Sequence, residues 1–300
     1  MGHIISDLKE NFKRGNIYIQ LIYINAGVFL FTSLLLILLR LFNRSGENIL
    51  LYVEMPASLQ NLLHQPWSIF TYMFMHADFL HILFNMLWLY WFGQLFLYFF
   101  SAKHLRGLYV LGGVCGAALY MISFNLFPYF SGVVDYSYML GASASVLAIV
   151  VATAYKQPDY QVRLFLFGTV KLKYIALFMI LSDLLFITSD NGGGHIAHLG
   201  GALAGLWFGA SLNKGHDVTS WINAVLDWFV SLFSGKPLSR KKPKMSVHTG
   251  GKRDKDYDYN AKKKAQNDEV DRILDKLKKS GYESLTTEEK KSLFDASKRQ

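Results

Sequence analysis

The feature that most limits what this chain can fold into is a series of apolar runs, at about residues 17–39, 79–100, 107–129, 138–155, 173–188 and 195–213. A helix crosses a bilayer with roughly 20 mostly apolar residues. Inside the bilayer every backbone N–H and C=O must be satisfied by the protein itself, which leaves only helices and closed barrels. The fifth run is short, begins after Lys171 and Lys173, and holds Asp183; the sixth holds His195, His198 and many glycines. The pattern predicts an all-α polytopic membrane protein, a bundle of six transmembrane helices. The chain is 52% hydrophobic and 18% charged, against about 25% charged in a typical soluble domain. From Lys214 onward there are 20 Lys or Arg against 13 Asp or Glu, so the tail carries +7 of the total +9. The first sixteen residues are polar and contain no cleavable apolar core, so the first run is expected to remain as a span. A lone cysteine, Cys115, excludes a disulfide within the chain.

Basic residues orient the bundle. Lys9, Lys13 and Arg14 precede the first run, Lys103 and Arg106 follow the second, and Lys156, Arg163, Lys171 and Lys173 follow the fourth. The opposite connections hold Arg40 and Arg44 in a long segment and no basic residue in 130–137 or 189–194. The positive-inside bias places both termini in the cytoplasm. Runs two, four and six then all start on the outer side. His81, Asn85, Ser143 and His198 lie near those starts, roughly 5–8 Å below the outer edge at 1.5 Å per residue. Unpaired polar groups are costly in lipid, so their common depth predicts a water-accessible hollow open to the outside.

His81 and Asn85 are four apart and share a helix face; alone, the pair is equally well read as buried hydrogen bonding between helices. Ala197, Gly201, Gly205 and Gly209 form a small-residue stripe in run six, and Gly141, Ser145, Ala148 and Ala152 form another in run four. Facing one another, such stripes let two backbones nearly touch and would bring His198 to Ser143. A serine hydroxyl needs a base to become a nucleophile, a neutral imidazole can be that base, and the oxyanion that follows needs fixed donors. Ser143, His198, and the pair His81 and Asn85 fit these three roles. Asp183 is expected deeper than the site and Asp190 in a loop, so a Ser–His dyad is the expectation rather than a triad. Ser145 lies about 200° around the helix from Ser143 and is assigned to helix packing.

The motifs His76-x4-His81-x3-Asn85, Gly141-Ala142-Ser143 and Ala197-His198-x2-Gly201-x3-Gly205 resemble, in order, those of the rhomboid intramembrane serine proteases. The resemblance covers about residues 16–213. It implies a rhomboid-like six-helix core, with Ser143 as nucleophile and His198 as general base. It also implies an oxyanion hole of His81, Asn85 and the Ser143 backbone N–H. Gly141, Gly201 and Gly205 would pack helices near the site, His76 would shape the outer loop, and the fifth helix would be a lateral gate. Substrates would be single-span membrane proteins cut near their outer boundary, in a bacterial inner membrane. The chain departs from the family in having Trp67-Ser68 where Trp-Arg is frequent, Ala144 after the serine in place of Gly, and Leu147 where an aromatic side chain often stacks on the imidazole.

Two other readings compete. His195 and His198, with His76 and His81, could ligate metal or haem, but the H-E-x-x-H pattern is missing and no carboxylate is expected nearby; no metal or cofactor is expected. A catalytically silent relative that binds or chaperones transmembrane helices would need no dyad. In the tail, 219–234 is expected as an interfacial amphipathic helix. A basic linker should follow to residue 262, and 263–300 should form a small cytoplasmic helical hairpin with a capping box at Thr286 and Glu289. The domain boundaries expected are therefore 1–16, 17–213, 214–262 and 263–300. The tail would meet a cytoplasmic partner or anionic lipid. Nucleic acid is not expected, because acids interleave the basic residues.

Overall fold

The computed structural model describes residue 12 and residues 15–164, 168–234 and 269–297. Most of the polar N-terminus, the basic linker 235–262 and the start of the expected hairpin lie outside the described residues. The chain forms two compact units, Met1–Leu238 and Ser239–Gln300.

In the first unit six longer helices stand near the six apolar runs: α1 (Ile17–Leu41), α2 (Phe79–Phe99), α3 (Ala102–Leu126), α4 (Ser143–Lys156), α5 (Leu172–Leu185) and α6 (Gly192–Asn213). By length and apolarity α1, α2 and α3 can cross a membrane. α4 and α5 have 14 residues each. α6 has 22, but its glycines and histidines dilute its apolarity. α4 is the centre of the unit, buried at every residue from Ala144 through Ala154, with α3 and α6 against it. α1 is peripheral. It buries only Tyr18, Leu21 and Asn25 and leaves Phe31, Leu34, Ile37 and Leu41 more than half exposed. A soluble protein rarely shows so large an apolar face; hydrocarbon is its natural solvent.

Two expectations need correction. Residues 138–142 are not the first turns of span four. Tyr138–Met139 pairs antiparallel with Met55–Pro56, Met139 opposite Met55, and the helix begins at Ser143. Apolar composition alone cannot separate a buried two-residue strand from a helix. The all-helical expectation also misses a second pair, Gln161–Leu164 with Gly168–Lys171. Asp159, at the foot of that hairpin, accepts from both Lys171 (3.0 Å) and Lys173 (2.8 Å).

The connection between α1 and α2 is held by side chains donating to its own carbonyls. Gln65 Nε2 donates to Leu51 O (2.8 Å) and Glu54 O (3.0 Å), Trp67 Nε1 to Tyr52 O (2.7 Å) and Thr71 Oγ1 to Val53 O (2.7 Å). Ser68, at the departure from Trp-Arg, is fully buried with its hydroxyl 3.8 Å from Met55 Sδ. α7 (Ser220–Ser234) docks on the start of α3. Asn223 Nδ2 donates to Lys103 O (3.0 Å), and Arg106 donates to Asn223 Oδ1 (2.9 Å) and Asp227 Oδ1 (2.8 Å). Its other face exposes Trp221, Val225, Trp228 and Phe229.

In the second unit α8 (269–280) ends at Gly281, whose φ of +77° only glycine adopts freely. α9 (Thr287–Ser297) opens with a reciprocal cap: the Glu289 N–H donates to Thr286 Oγ1 and the Thr286 N–H donates to Glu289 Oε2. Among the described residues of this unit Ile273 and Leu285 are the buried apolar ones, and Lys276 bridges to Glu289 at 2.8 Å.

Candidate active site

Three elements converge at Gly141. Its φ is +132° and its N–H donates to Tyr72 O at 3.0 Å. A Cβ at this position would lie 3.0 Å from His81 Nε2 and 3.5 Å from Ser143 Oγ. Glycine is therefore required twice, for the backbone angle and for the room. Gly141 thus lies ahead of α4, against the His81 ring, and not within the helix. Ser143 follows as the first residue of α4, so it stands on the helix N-terminus and not a full turn inside it. The first bond closing α4 runs from Val146 N–H to Ala142 O (3.0 Å), so the earlier N–H groups have no partner in the helix and are free to receive an anion.

α6 comes alongside through its glycines. A Cβ on Gly201 would strike the Ala144 carbonyl oxygen, with the Ala144 carbonyl carbon at 2.8 Å. One on Gly205 would lie 2.5 Å from Ala148 O, and one on Gly209 2.6 Å from the Tyr155 ring. Of the expected α4 stripe, Ala148 and Ala152 do meet Gly205, with Ala148 O 2.5 Å and Ala152 N 3.1 Å from its Cβ position, while Ala144 and Tyr155 complete the facing row. Ser145 turns to α3 instead, fully buried, its Oγ 3.0 Å from where a Gly113 Cβ would sit. Ala144 and Ala197 both approach Gly116 of α3, whose Cβ would lie 2.8 Å from Ala144 Cβ and 3.0 Å from Ala197 O. Ala144, the neighbour of Ser143, is therefore in close backbone contact with Gly201, three residues past His198. Ser143 and His198 themselves are not joined by a hydrogen bond; such bonds commonly tighten only with substrate bound.

The histidines are oriented by what their Nδ1 atoms face. Asp78 caps α2 by accepting the His81 N–H (2.9 Å). The Ala77 N–H donates to His81 Nδ1 at 3.4 Å, which assigns the ring proton to Nε2, the atom beside Gly141. Asn85 is buried and donates one amide hydrogen to His81 O (2.9 Å), leaving the other for an additional acceptor. His76 is 6% exposed, lies edge-on to His81 with ring centroids 5.1 Å apart, and has neither ring nitrogen in hydrogen-bond geometry. Burial first, then His81, hold His76 down at about 4. Leu147 is buried in the core of α4.

Asp183 overturns the expectation that no acid reaches His198. It is buried in the last turn of α5, and its Oδ1 accepts from His198 Nδ1 and from His195 Nδ1, both at 2.8 Å. Run five was expected to reach residue 188, which put Asp183 mid-helix; α5 stops at Leu185, and Asp183 faces the first turns of α6. A carboxylate thus does lie beside the two histidines, and the three donor atoms fall within 4.8 Å of one another. Ligands around a tetrahedral ion at 2.0–2.1 Å lie about 3.3 Å apart, so the 2.8 Å separations are those of hydrogen bonds.

The Rhomboid domain family matches residues 63–214, just over half of the chain. The chain belongs to the rhomboid family. A curated relative, "RHOMBOID-like protein 12, mitochondrial" of Arabidopsis thaliana, is 28% identical over 209 residues, which cover 67% of this chain and 59% of that protein. The chain thus spans less than two thirds of that relative's length. Family membership and the membrane-length apolar helices make the chain a polytopic, integral membrane protein. The relative's mitochondrial description gives the expected bacterial membrane no support. Residues 253–299 match a family of unknown function, DUF6576. Within the rhomboid region, the partner that sequence reasoning missed is Asp183. An antiparallel turn centred between α5 and α6 would have shown it, because that turn sets 183 opposite the 195–198 face.

Proposed function

We propose that this rhomboid is an intramembrane serine endopeptidase that cleaves single-span membrane proteins near their outer membrane boundary. Ser143 attacks the scissile carbonyl and His198 Nε2 takes its proton. The Ser143 N–H, His81 Nε2–H and the spare Asn85 amide hydrogen receive the oxyanion. One observation carries the reading: Ser143 Oγ and His81 Nε2 flank the same space beside Gly141, so nucleophile and oxyanion donor would meet one carbonyl from two sides. The close contact of Gly201 with Ala144 supports a base alongside. Hydrolysis in lipid needs water and a locally unwound substrate, and unwound backbone is tolerated there only where it lines a polar cavity.

The proposal includes all six helices as spans, with both termini cytoplasmic and the bilayer against the outward faces. It divides the chain into a core at 17–213, an interfacial and basic segment at 214–262 and a cytoplasmic hairpin at 263–300. Purified protein with a labelled single-span substrate tests it. Wild type should cleave and Ser143→Ala and His198→Ala should not, and a fluorophosphonate should label wild type but not Ser143→Ala. Cleavage retained in Ser143→Ala removes the mechanism. Substrate binding without cleavage by wild type selects the chaperone reading.

A further inference from the structure

We propose that Asp183 is a positioning residue for His198, fixing the imidazole tautomer that leaves Nε2 free, through an oxygen it shares with His195. The inference rests on the protease reading above and adds a residue to it. Asp183 Oδ1 stands 2.8 Å from Nδ1 of both histidines, and an ionised carboxylate only accepts. Both rings therefore carry their proton on Nδ1. For His198 that leaves the lone pair on Nε2, across the ring from α5, which is the form a general base for Ser143 requires. The opposite tautomer would present Nε2–H to the serine and could take no proton from it.

The arrangement follows from helix geometry. His195 and His198 are three apart and share a face, with ring planes 85° apart and centroids 6.0 Å apart, so they bracket the carboxylate rather than stack. Asp183 is 6% exposed, and a carboxylate that deep is tolerated only with partners; the two N–H donors supply them. His195 thus holds the acid and the acid holds His198. An amide in place of the acid breaks this. Its NH₂ also needs acceptors, and a ring that accepts at Nδ1 must move its proton to Nε2.

The test has two arms. In detergent-solubilised protein with ¹⁵N-labelled histidine, the His198 ring nitrogen resonances, assigned by their loss in His198→Ala, report the tautomer without any need for turnover. Wild type should show Nδ1–H, and Asp183→Asn should lose that state. In cleavage assays Asp183→Asn should lower kcat by about tenfold or more with KM within about twofold, since a base with its proton on the wrong nitrogen binds substrate but does not activate the serine. His195→Ala should lower kcat less than Asp183→Asn and keep the Nδ1–H form. Wild-type His198 protonated on Nε2, or Asp183→Asn with wild-type kcat, overturns the proposal. If Ser143→Ala still cleaves, the protease reading fails, while the resonance arm still decides whether Asp183 sets the ring.

Discussion

Replacing Gly201 with alanine adds one methyl group at the tightest contact between α4 and α6. The new Cβ would sit 2.8 Å from the Ala144 carbonyl carbon and 3.0 Å from its Cα, with the carbonyl oxygen closer still. Ordinary contact begins at 3.4 Å, so the helices must part by at least the 0.6 Å between 2.8 and 3.4. The obstacle is backbone, and no rotamer change relieves it. Overpacking of this kind costs about 1–3 kcal/mol. The same displacement separates Ser143, one residue before Ala144, from His198, three before Gly201. A 1 Å misplacement can lower a rate by about a hundredfold, so cleavage should fall about ten- to hundredfold, and fluorophosphonate labelling of Ser143 should slow with it. Gly27 on α1 is the control, because a Cβ there meets nothing within 4 Å and alanine should stabilise the helix by about 0.5–1 kcal/mol. Rates and thermal unfolding are measured in the same detergent. Gly201→Ala with both wild-type cleavage and wild-type stability would refute the close approach of the two backbones as the source of the site.

Gly141→Ala meets both the positive φ and the His81 ring, so cleavage should fall by about tenfold or more at a stability cost of about 1–3 kcal/mol; turnover and unfolding midpoints check it. His76 is held at about 4 from an ordinary 6.5, so between those values the unfolded chain binds a proton the folded one refuses. Its contribution is whole above pH 6.5 and is lost as pH falls toward about 4, and His76→Phe should flatten the unfolding-midpoint curve across that window. Because the Asp183 contacts are hydrogen bonds, chelator should leave cleavage unchanged; loss of activity on chelation, restored by zinc, would reverse that assignment.

The helices were legible because lipid demands long apolar runs, and Ser143, His81 and His198 were legible because polar groups in such runs need a reason. Their ends were not. Tyr138 and Met139 are as apolar as the helix they precede, and only Met55 and Pro56, more than eighty residues away in sequence, make them a strand. Asp183 was hidden by the same limit: three surplus residues assigned to α5 moved it from the last turn to the middle. The α4 row was legible at Ala148 and Ala152 but not at Ser145, whose place against Gly201 is taken by Ala144. A stripe of small residues marks that a helix can be approached, but the choice of Ala144 over Ser145 is made by α3, which takes Ser145 against Gly112 and Gly113.

In the proposed mechanism His81 and His198 carry opposite duties through the same atom. There His81 donates from Nε2 and His198 accepts at Nε2. Nothing in the residue type distinguishes them. The difference lies on the far side of each ring: a backbone N–H from Ala77 facing Nδ1 of His81, and the Asp183 carboxylate facing Nδ1 of His198. A donor at Nδ1 sends the proton to Nε2; an acceptor at Nδ1 keeps it away. Donor and acceptor roles in the proposed mechanism would therefore be assigned by two supporting groups on the far sides of the rings. One comes from the turn entering α2 and the other from the end of α5, so the proposed chemistry would depend on the segments that close the bundle as much as on the helices that carry Ser143 and His198.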